Sequence, residues 1–214
     1  SLLSSSEEEE VARDYICFGD HDCVIAVTDG TCLERNLNLV LQIAEATDNL
    51  VVCVNLLDEA ARKGVSIDEK KLSALLQAPV VGTSARSGRG IRELTEAALS
   101  SRGRKGEFKI PYPASVERGI AEISPLLHLP KNCRLSRRFL ALKLIEGSRD
   151  IIDTAGVETG VHLDTPEILA AVRTARAGIK AEFPDDTPTE VIVRAVVDLA
   201  HSIYKKSTLH KKGY

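Results

Sequence analysis

The sequence predicts an α/β fold, a parallel sheet with flanking helices, followed by an all-α helical domain. Three apolar segments, at 23–30, 50–55 and 79–84, alternate with segments of helical period. Each of the three is apolar almost throughout, as is usual for parallel strands that helices cover on both faces. After about residue 103 only helical periods follow. The chain therefore combines a layered α/β part with a helical part.

The elements of the α/β part follow one another in regular order. A first helix is expected over SSSEEEEVARDYICF, with Ser5 or Ser6 as its N-cap and glutamates in its first turn. The first strand, CVIAVTDG, leads into TCLERNLNLVLQIAEAT, whose apolar residues recur at helical spacing. After the second strand, LVVCVN, come a short helix ending near Gly64 and a helix over SIDEKKLSALLQA. The third strand, PVVGTS, precedes a final helix over GIRELTEAAL.

The second part begins after a linker. SRGRKGEFKIPYPA contains recurring glycine and proline without a helical period. Five helical segments follow, and Thr165 and Thr187 are natural N-caps because each precedes a proline and has a glutamate in the first turn. We expect four regions: an α/β part at 1–102, a linker at 103–114, a helical domain at 115–206 and a basic tail at 207–214.

Composition limits the classes of function. With 43% apolar and 28% charged residues, the 214-residue chain has the composition of a globular protein. A formal net charge of −3 gives no global basic field, so nucleic-acid binding is not expected. No signal peptide or membrane-length apolar segment is present, and the sequence predicts a soluble product. Because the chain contains no methionine, we expect it to be a piece of a longer protein.

Cysteine and histidine give no sign of a metal site. The five cysteines are odd in number and show no CxxC spacing, which predicts reduced core residues and a cytosolic compartment (Cys17, Cys23, Cys32, Cys53, Cys133). The five histidines are scattered without ligand spacing, so we expect surface or capping roles and no iron site (His21, His128, His162, His201, His210).

Two polar loops follow the second and third strands, NLLDEA at 55–60 and TSARSGRGI at 83–91. In parallel α/β sheets ligands bind beyond the carboxyl ends of the strands, which is where both loops fall. An Asp58 carboxylate can accept two parallel hydrogen bonds from a ring N–H and an exocyclic NH₂, the edge that guanine presents and adenine does not. Asn55 offers a donor and an acceptor, with which it can tie neighbouring loops and reach the ring.

The second loop supplies the complementary groups. Ser84 can brace the turn, and the small Ala85 allows a backbone N–H to approach a carbonyl oxygen such as that of guanine. Gly88 and Gly90 permit a tight turn into the following helix. An isolated NxxD is more often a helix N-cap aspartate with a turn asparagine. Both loops together, each directly after a buried strand, favour a pocket for a guanine base.

Several segments together resemble the GTPase domain of FeoB-type ferrous-iron transporters: SLLSSSEEEEVARDYI, TDGTCLERNLNLVLQIAE, NLLDEA, RKGVSIDEKKL and VVGTSARSGRGI. The resemblance implies a partial small-GTPase-like parallel sheet and assigns the guanine-specificity motif to Asn55 and Asp58. It assigns the start of the fifth GTPase motif to Ser84 and Ala85. Many other small GTPases have lysine where this sequence has Leu56. The segment SRRFLALKLIEG resembles the FeoB helical domain, which is thought to tune nucleotide release.

The resemblance implies GTP or GDP as the ligand and GTP hydrolysis by the intact protein. It also implies a location at the cytoplasmic face of the plasma membrane, beside a membrane-spanning region of the same polypeptide that the lysine-rich KKSTLHKKGY would precede. The same segment, considered alone, is equally typical of a solvated disordered end. Small accessory Feo proteins and a second copy of the chain are the other expected partners.

One part of the expected machinery is missing from the sequence. No GxxxxGK followed by Ser or Thr, and no DxPG motif, occurs in the 214 residues. These motifs hold the nucleotide phosphates and Mg²⁺ in this class. We therefore expect Mg²⁺ in the intact protein with ligands outside this chain, no catalytic residue assignable here, and no activity of this piece alone. Two alternatives remain: a non-catalytic α/β plus helical interaction module, and a soluble GTPase of another class.

Overall fold

The computed structural model describes residues 7–101, 108–130, 133 and 135–210. The described residues form two compact units, one drawn from 21–109 and 196–210, the other from 7–20 and 110–195. The units are therefore discontinuous in sequence, whereas the expected boundaries at 102 and 115 are linear. Those linear boundaries stay a prediction.

The described residues contain ten α-helices and five strands. In chain order they are α1 (Glu7–Phe18), β1 (Val24–Asp29), α2 (Leu33–Ala46), β2 (Leu50–Asn55), α3 (Leu57–Arg62), β3 (Val65–Ile67), α4 (Glu69–Leu76), β4 (Val80–Gly82), α5 (Ile91–Ser100), α6 (Ala114–Ile123), α7 (Arg137–Glu146), α8 (Arg149–Thr159), α9 (Pro166–Glu182), α10 (Pro188–Ser207) and β5 (Thr208–His210). Short 3-10 turns lie at Gly30–Cys32, Ala85–Ser87 and Ser124–Leu126.

The first unit is built on a parallel sheet in the order β1-β2-β4. The first five residues of the central strand β2 are buried, which explains why LVVCV contains no polar residue. On β1, at one edge of the described sheet, Ile25 is 41% and Val27 67% exposed. The three strands predicted from the apolar segments are all present, and the α/β fold class is confirmed.

A second, two-stranded sheet was not predicted. Strand β3 pairs antiparallel with β5, so the helix expected over 66–78 begins only at Glu69. The expectation of helices alone after the linker is wrong at 208–210, where part of the supposed basic tail forms β5. Three-residue strands are too short to show an alternating pattern, and this pair joins segments far apart in the sequence.

The second unit is helical, as predicted. Its central helix α7 packs against α6, α8 and α9, and seven consecutive side chains, Phe139 to Ile145, are buried. Gly119 of α6 permits a close approach to α9, since a Cβ there would lie 2.6 Å from the Ala175 Cβ. The sequence also predicts that an apolar face of 134–146 is buried, in its own bundle or against the neighbouring domain. In the structure the buried side chains lie all round α7, which packs on helices of its own unit.

The predicted helix caps of the second unit are present. The Thr165 hydroxyl accepts a hydrogen bond from the Ile168 N–H. Thr187 and Glu190 bond reciprocally, the Glu190 N–H to the Thr187 hydroxyl and the Thr187 N–H to the Glu190 carboxylate, which lowers the pKa of Glu190. The caps predicted at Ser5 and Ser6 lie outside the described residues.

The cysteines are less uniformly buried than expected. Cys17 and Cys53 are buried, Cys32 is exposed, and Cys23 and Cys133 are intermediate. Burial raises the pKa of the Cys17 thiol to about 12, so this side chain is a protonated core residue at neutral pH. The prediction of small core cysteines therefore holds for two of the five.

Candidate functional site

The candidate site lies at the carboxyl edge of the parallel sheet. Asp29 ends β1 opposite Asn55, which ends β2, and Gly82 ends β4 opposite Val54. The carboxyl ends of parallel strands meet at one edge, so the polar segments after β2 and β4 come together there. This placement brings the two predicted loops into direct contact through hydrogen bonds.

Asn55 ties the two loops together. Its Oδ1 accepts hydrogen bonds from the Thr83 hydroxyl at 3.0 Å and from the Ala85 N–H at 3.1 Å. Two donors on one oxygen fix the orientation of the side-chain amide. They leave the Nδ2 group without a protein partner among the described residues, so it is the donor that the site can offer to a ligand.

Asp58, on the first turn of α3, is braced by Ser84. The buried Ser84 hydroxyl donates to Asp58 Oδ1 at 3.0 Å and is 3.4 Å from the Asp58 backbone nitrogen, which donates to it. The hydrogen bond from Ser84 is the main cause that lowers the pKa of the Asp58 carboxyl. Asp58 is exposed and ionised at neutral pH, and it presents an anionic acceptor of fixed position.

A nearby arginine adds little to this arrangement. Arg62 Nη2 lies 3.7 Å from Asp58 Oδ2, and both side chains are more than half exposed. Exposed ion pairs of this length contribute almost nothing to stability. The position of Asp58 therefore depends on Ser84 and on helix α3 rather than on Arg62.

The Ala85 N–H already has a hydrogen-bond partner within the two loops. The sequence suggests a backbone N–H that faces a ligand carbonyl, but in the structure the Ala85 N–H donates to Asn55 Oδ1. A ligand carbonyl at this position would have to share that donor. Ser84 contacts both loops: its hydroxyl donates to Asp58 Oδ1, and its N–H donates to the Arg89 carbonyl at 3.1 Å.

The glycines of the second loop have the conformations that a tight turn needs. Gly88 and Gly90 have φ angles of +74° and +79°, in the left-handed region that favours glycine. At Gly90 a Cβ would lie 2.2 Å from the Gly82 carbonyl oxygen, whereas at Gly88 it would meet nothing within 4 Å. Gly90 is thus required by both conformation and space, and Gly88 by conformation alone.

Two residues that the sequence analysis did not single out support the site, and Leu56 has a conformation that the sequence does not predict. Thr83 is 1% exposed, and its hydroxyl holds Asn55. Glu69 accepts a hydrogen bond from the Gly82 N–H at 2.7 Å and so fixes the end of β4. Leu56 has a left-handed φ of +59°, which is uncommon for a branched side chain. The position of Thr83 directly before Ser84 could have indicated its role in the site. Nothing in the sequence indicates the conformation of Leu56.

Asp29 caps the short turn that follows β1. Its carboxylate accepts from the Thr31 N–H at 2.7 Å, and this hydrogen bond is the main cause that lowers its pKa. The Asp29 N–H donates to Asn36 Oδ1 at 2.8 Å. Asp29 therefore shapes the turn beside the candidate site.

The described residues offer no metal centre and no membrane crossing. Within 7–101, 108–130, 133 and 135–210, no three His, Cys, Asp or Glu side chains converge on a possible ion position. No helix in that part of the chain combines the length and apolar character needed to cross a bilayer.

Two protein-family models match this chain, one in its first half and the other in its second. Residues 1–98 match the family described as Ferrous iron transport protein B, and residues 112–208 match the family described as FeoB cytosolic helical domain. The Fe(2+) transporter FeoB of Escherichia coli is 33% identical over 162 residues, which are 75% of this chain and 20% of that protein. The Fe(2+) transport protein A/Fe(2+) transporter FeoB fusion protein of Porphyromonas gingivalis is 34% identical over 71% of this chain and 19% of that protein. The chain spans about a fifth of the length of these two relatives.

Solved structures show the same two-part architecture. The cytosolic domain of the T. maritima FeoB iron transporter, in a GDP form, has a TM-score of 0.75 and 28% identity. That match covers 98% of this chain and 75% of the T. maritima chain. A mutant of S. thermophilus NFeoB bound to GDP has a TM-score of 0.82 and 26% identity, covering 98% of this chain and 78% of that one.

The parallel sheet, the two loops at its carboxyl edge and the helices that follow define the class: a G domain joined to a helical domain. Both family matches point to one transporter family. The chain belongs to the FeoB family of ferrous iron transport proteins and contains its G-domain part together with its cytosolic helical domain.

Proposed function

We propose that this chain recognises the base of a guanine nucleotide at the carboxyl edge of the sheet. The observation that carries the proposal is the pair of fixed polar groups on the two loops. The Asp58 carboxylate is held by Ser84, and the Asn55 amide is held through its oxygen by Thr83 and Ala85. Preorganised groups lose little entropy on binding, so they favour a specific ligand.

The chemistry of the two groups suits guanine. The ionised Asp58 carboxylate accepts from the ring N–H and the exocyclic NH₂ of guanine, which lie side by side. Adenine presents a bare ring nitrogen at the corresponding edge, which would face the carboxylate without a proton between them. Asn55 Nδ2 donates to a ring acceptor, and the Ala85 N–H is shared with the base carbonyl. Discrimination arises because a wrong base would cover these polar groups without pairing them.

We propose further that the intact protein binds and hydrolyses GTP as the control module of a ferrous-iron transporter. The family assignment supports this role, and a T. maritima FeoB cytosolic domain has been solved in a GMPPNP form as well as in GDP forms. The membrane-spanning region of the same polypeptide, small accessory Feo proteins and a second copy of the chain are its proposed partners. The exposed apolar side chains of β1 suit a sheet edge that further residues cover in the intact protein.

Phosphate binding and Mg²⁺ are proposed to depend on residues outside these 214. The sequence contains no phosphate-binding loop, and the described residues contain no ion-binding cluster, so no Mg²⁺ ligand is assigned here.

The proposal is tested by titrating the chain with GDP and ADP, in wild type and in Asp58→Asn. The substitution replaces an acceptor by a side chain that also presents a donor, so guanine affinity should fall by roughly tenfold or more. Glu59→Gln is the matched control, because it neutralises the neighbouring carboxylate of the same helix without touching Ser84. Equal GDP affinity in Asp58→Asn and Glu59→Gln would exclude Asp58 as the base-reading residue.

A further inference from the structure

We propose that the pairing of strand β5 with strand β3 holds the base-recognition helix α3 in place, and so determines how firmly Asp58 is held. We call the β3–β5 pair the latch. The structural steps concern the first unit alone. Only the last step, an effect on guanine binding, rests on the proposed function.

Helix α3 is too short to hold its own position. It has six residues, and its N-cap, Leu56, makes no side-chain capping hydrogen bond. An isolated helix of this length is unstable in water, because one turn forms few hydrogen bonds for the dihedral angles it fixes. Its place depends on its neighbours, among which are β3 and the turn Gly30–Cys32.

Strand β3 depends in turn on β5. Among the described residues β5 is the one strand that pairs with β3, with Val65 opposite His210 and Ile67 opposite Thr208. The Asp68 N–H extends this ladder by donating to the Ser207 carbonyl at 2.8 Å. A two-stranded ribbon of this size is marginal without further packing. Loss of β5 would therefore leave β3 without its interstrand hydrogen bonds.

Strand β5 is fixed to the end of α10, which belongs to the same unit. Ala200 and Ile203 are buried, and the Thr208 hydroxyl donates to the Tyr204 carbonyl at 2.7 Å. The Tyr204 hydroxyl lies 3.1 Å from His210 Nε2. His201 Nδ1 lies 2.5 Å from Glu34 Oε1, which joins this end of α10 to α2. A shift of the end of α10 is therefore passed to β5, and from β5 to β3 and α3.

The ladder geometry identifies a specific test residue. Since Asp68 and Ser207 are a hydrogen-bonded pair, the alternation of an antiparallel ladder makes Ser66 and Leu209 the next such pair. The Leu209 side chain is 75% exposed, so Leu209 contributes to the latch through the hydrogen bonds of its backbone. Leu209→Pro removes the N–H from the ladder, whereas Leu209→Ala removes the side chain and keeps the N–H.

Amide hydrogen exchange of the 214-residue chain tests the latch without any nucleotide. In Leu209→Pro the amides of β3 should lose protection and those of α3 should exchange several-fold faster, while β2 stays as in wild type. Leu209→Ala should behave as wild type. Ser66→Pro with Ser66→Ala as its control repeats the test from the other strand. If α3 keeps wild-type exchange in both proline variants while β3 has lost protection, the latch is wrong.

A GDP titration of the same variants tests the last step. Leu209→Pro should bind GDP several-fold more weakly than Leu209→Ala. Faster exchange of α3 with unchanged GDP affinity would overturn the claim that the latch acts on binding. Failure of the proposed function has a different signature, namely unchanged GDP affinity in Asp58→Asn, and it would leave the exchange result intact.

Discussion

At the scale of single residues, the hydroxyl of Thr83 is the least obvious contributor to the site. It is buried, it donates to Asn55 Oδ1 at 3.0 Å, and it lies 3.3 Å from Cys53 Sγ. Asn55 is positioned by this hydroxyl and by one backbone N–H, so the amide orientation depends on both.

Replacing Thr83 by valine keeps the shape of the side chain and removes the hydroxyl. We expect a loss of about 1 to 3 kcal/mol in the free energy of unfolding, because Asn55 loses a buried partner. Guanine affinity should fall as well, since only the Ala85 N–H would still orient the Asn55 amide. Denaturant unfolding and GDP titration measure the two effects. Thr83→Ser, which keeps the hydroxyl, should retain most of both, and equal losses in the two variants would contradict a role for the hydroxyl.

The ionisation of Asp58 provides a second residue-scale prediction. Its pKa lies below the ordinary value of 3.8 in the folded chain because the Ser84 hydroxyl donates to it. The stabilisation from this bond is therefore present above the unfolded pKa and is lost as the pH falls through the folded pKa. In Ser84→Ala the carboxyl should titrate closer to 3.8 in an NMR pH titration. An unchanged Asp58 pKa in that variant would show that Ser84 does not hold the carboxylate.

At the scale of elements, the loop between β4 and α5 has two left-handed glycines with different surroundings. Gly88→Ala meets only the conformational strain of a positive φ, which costs about 1 kcal/mol. Gly90→Ala adds a clash with the Gly82 carbonyl, because the new Cβ would lie 2.2 Å from that oxygen. We expect Gly90→Ala to lower the free energy of unfolding by about 2 to 3 kcal/mol. Thermal unfolding of both variants decides this, and a larger loss for Gly88→Ala would contradict the loop geometry.

Elements with a strong local pattern were predictable from the sequence. The strand LVVCVN was predicted at its observed bounds, and the start of the helix at Pro188 was predicted from its cap, because apolar runs and capping residues mark them. Strands β3 and β5 were not predictable, since each has three residues and their pairing joins position 65 to position 210. Asn55, Asp58 and Ser84 could be placed at one edge from strand order, whereas the bond from Ala85 to Asn55 depends on atomic positions that no pattern encodes.

At the scale of the whole molecule, the chain contains a G-domain part and a cytosolic helical domain, and its sequence contains no phosphate-binding loop. In this class phosphate contacts and Mg²⁺ supply most of the nucleotide affinity and the catalysis. The 214-residue chain should therefore release no phosphate from GTP above the uncatalysed rate in a phosphate-release assay. Turnover that depends on the chain would show that the machinery is more complete than its sequence indicates.

The central claim is that Asp58 reads the guanine edge, and a change of base preference tests it most directly. Xanthine carries a carbonyl where guanine carries its exocyclic NH₂, so an asparagine at 58 can donate where the aspartate accepted. The measurement is an NMR titration of wild type and Asp58→Asn with millimolar guanosine, adenosine and xanthosine diphosphates, observing the Asn55 side-chain amide. We predict that wild type responds to the guanine nucleotide over the other two, and that Asp58→Asn responds to xanthine over guanine. An unchanged preference in the variant, or a wild type that responds equally to adenine, would contradict the account.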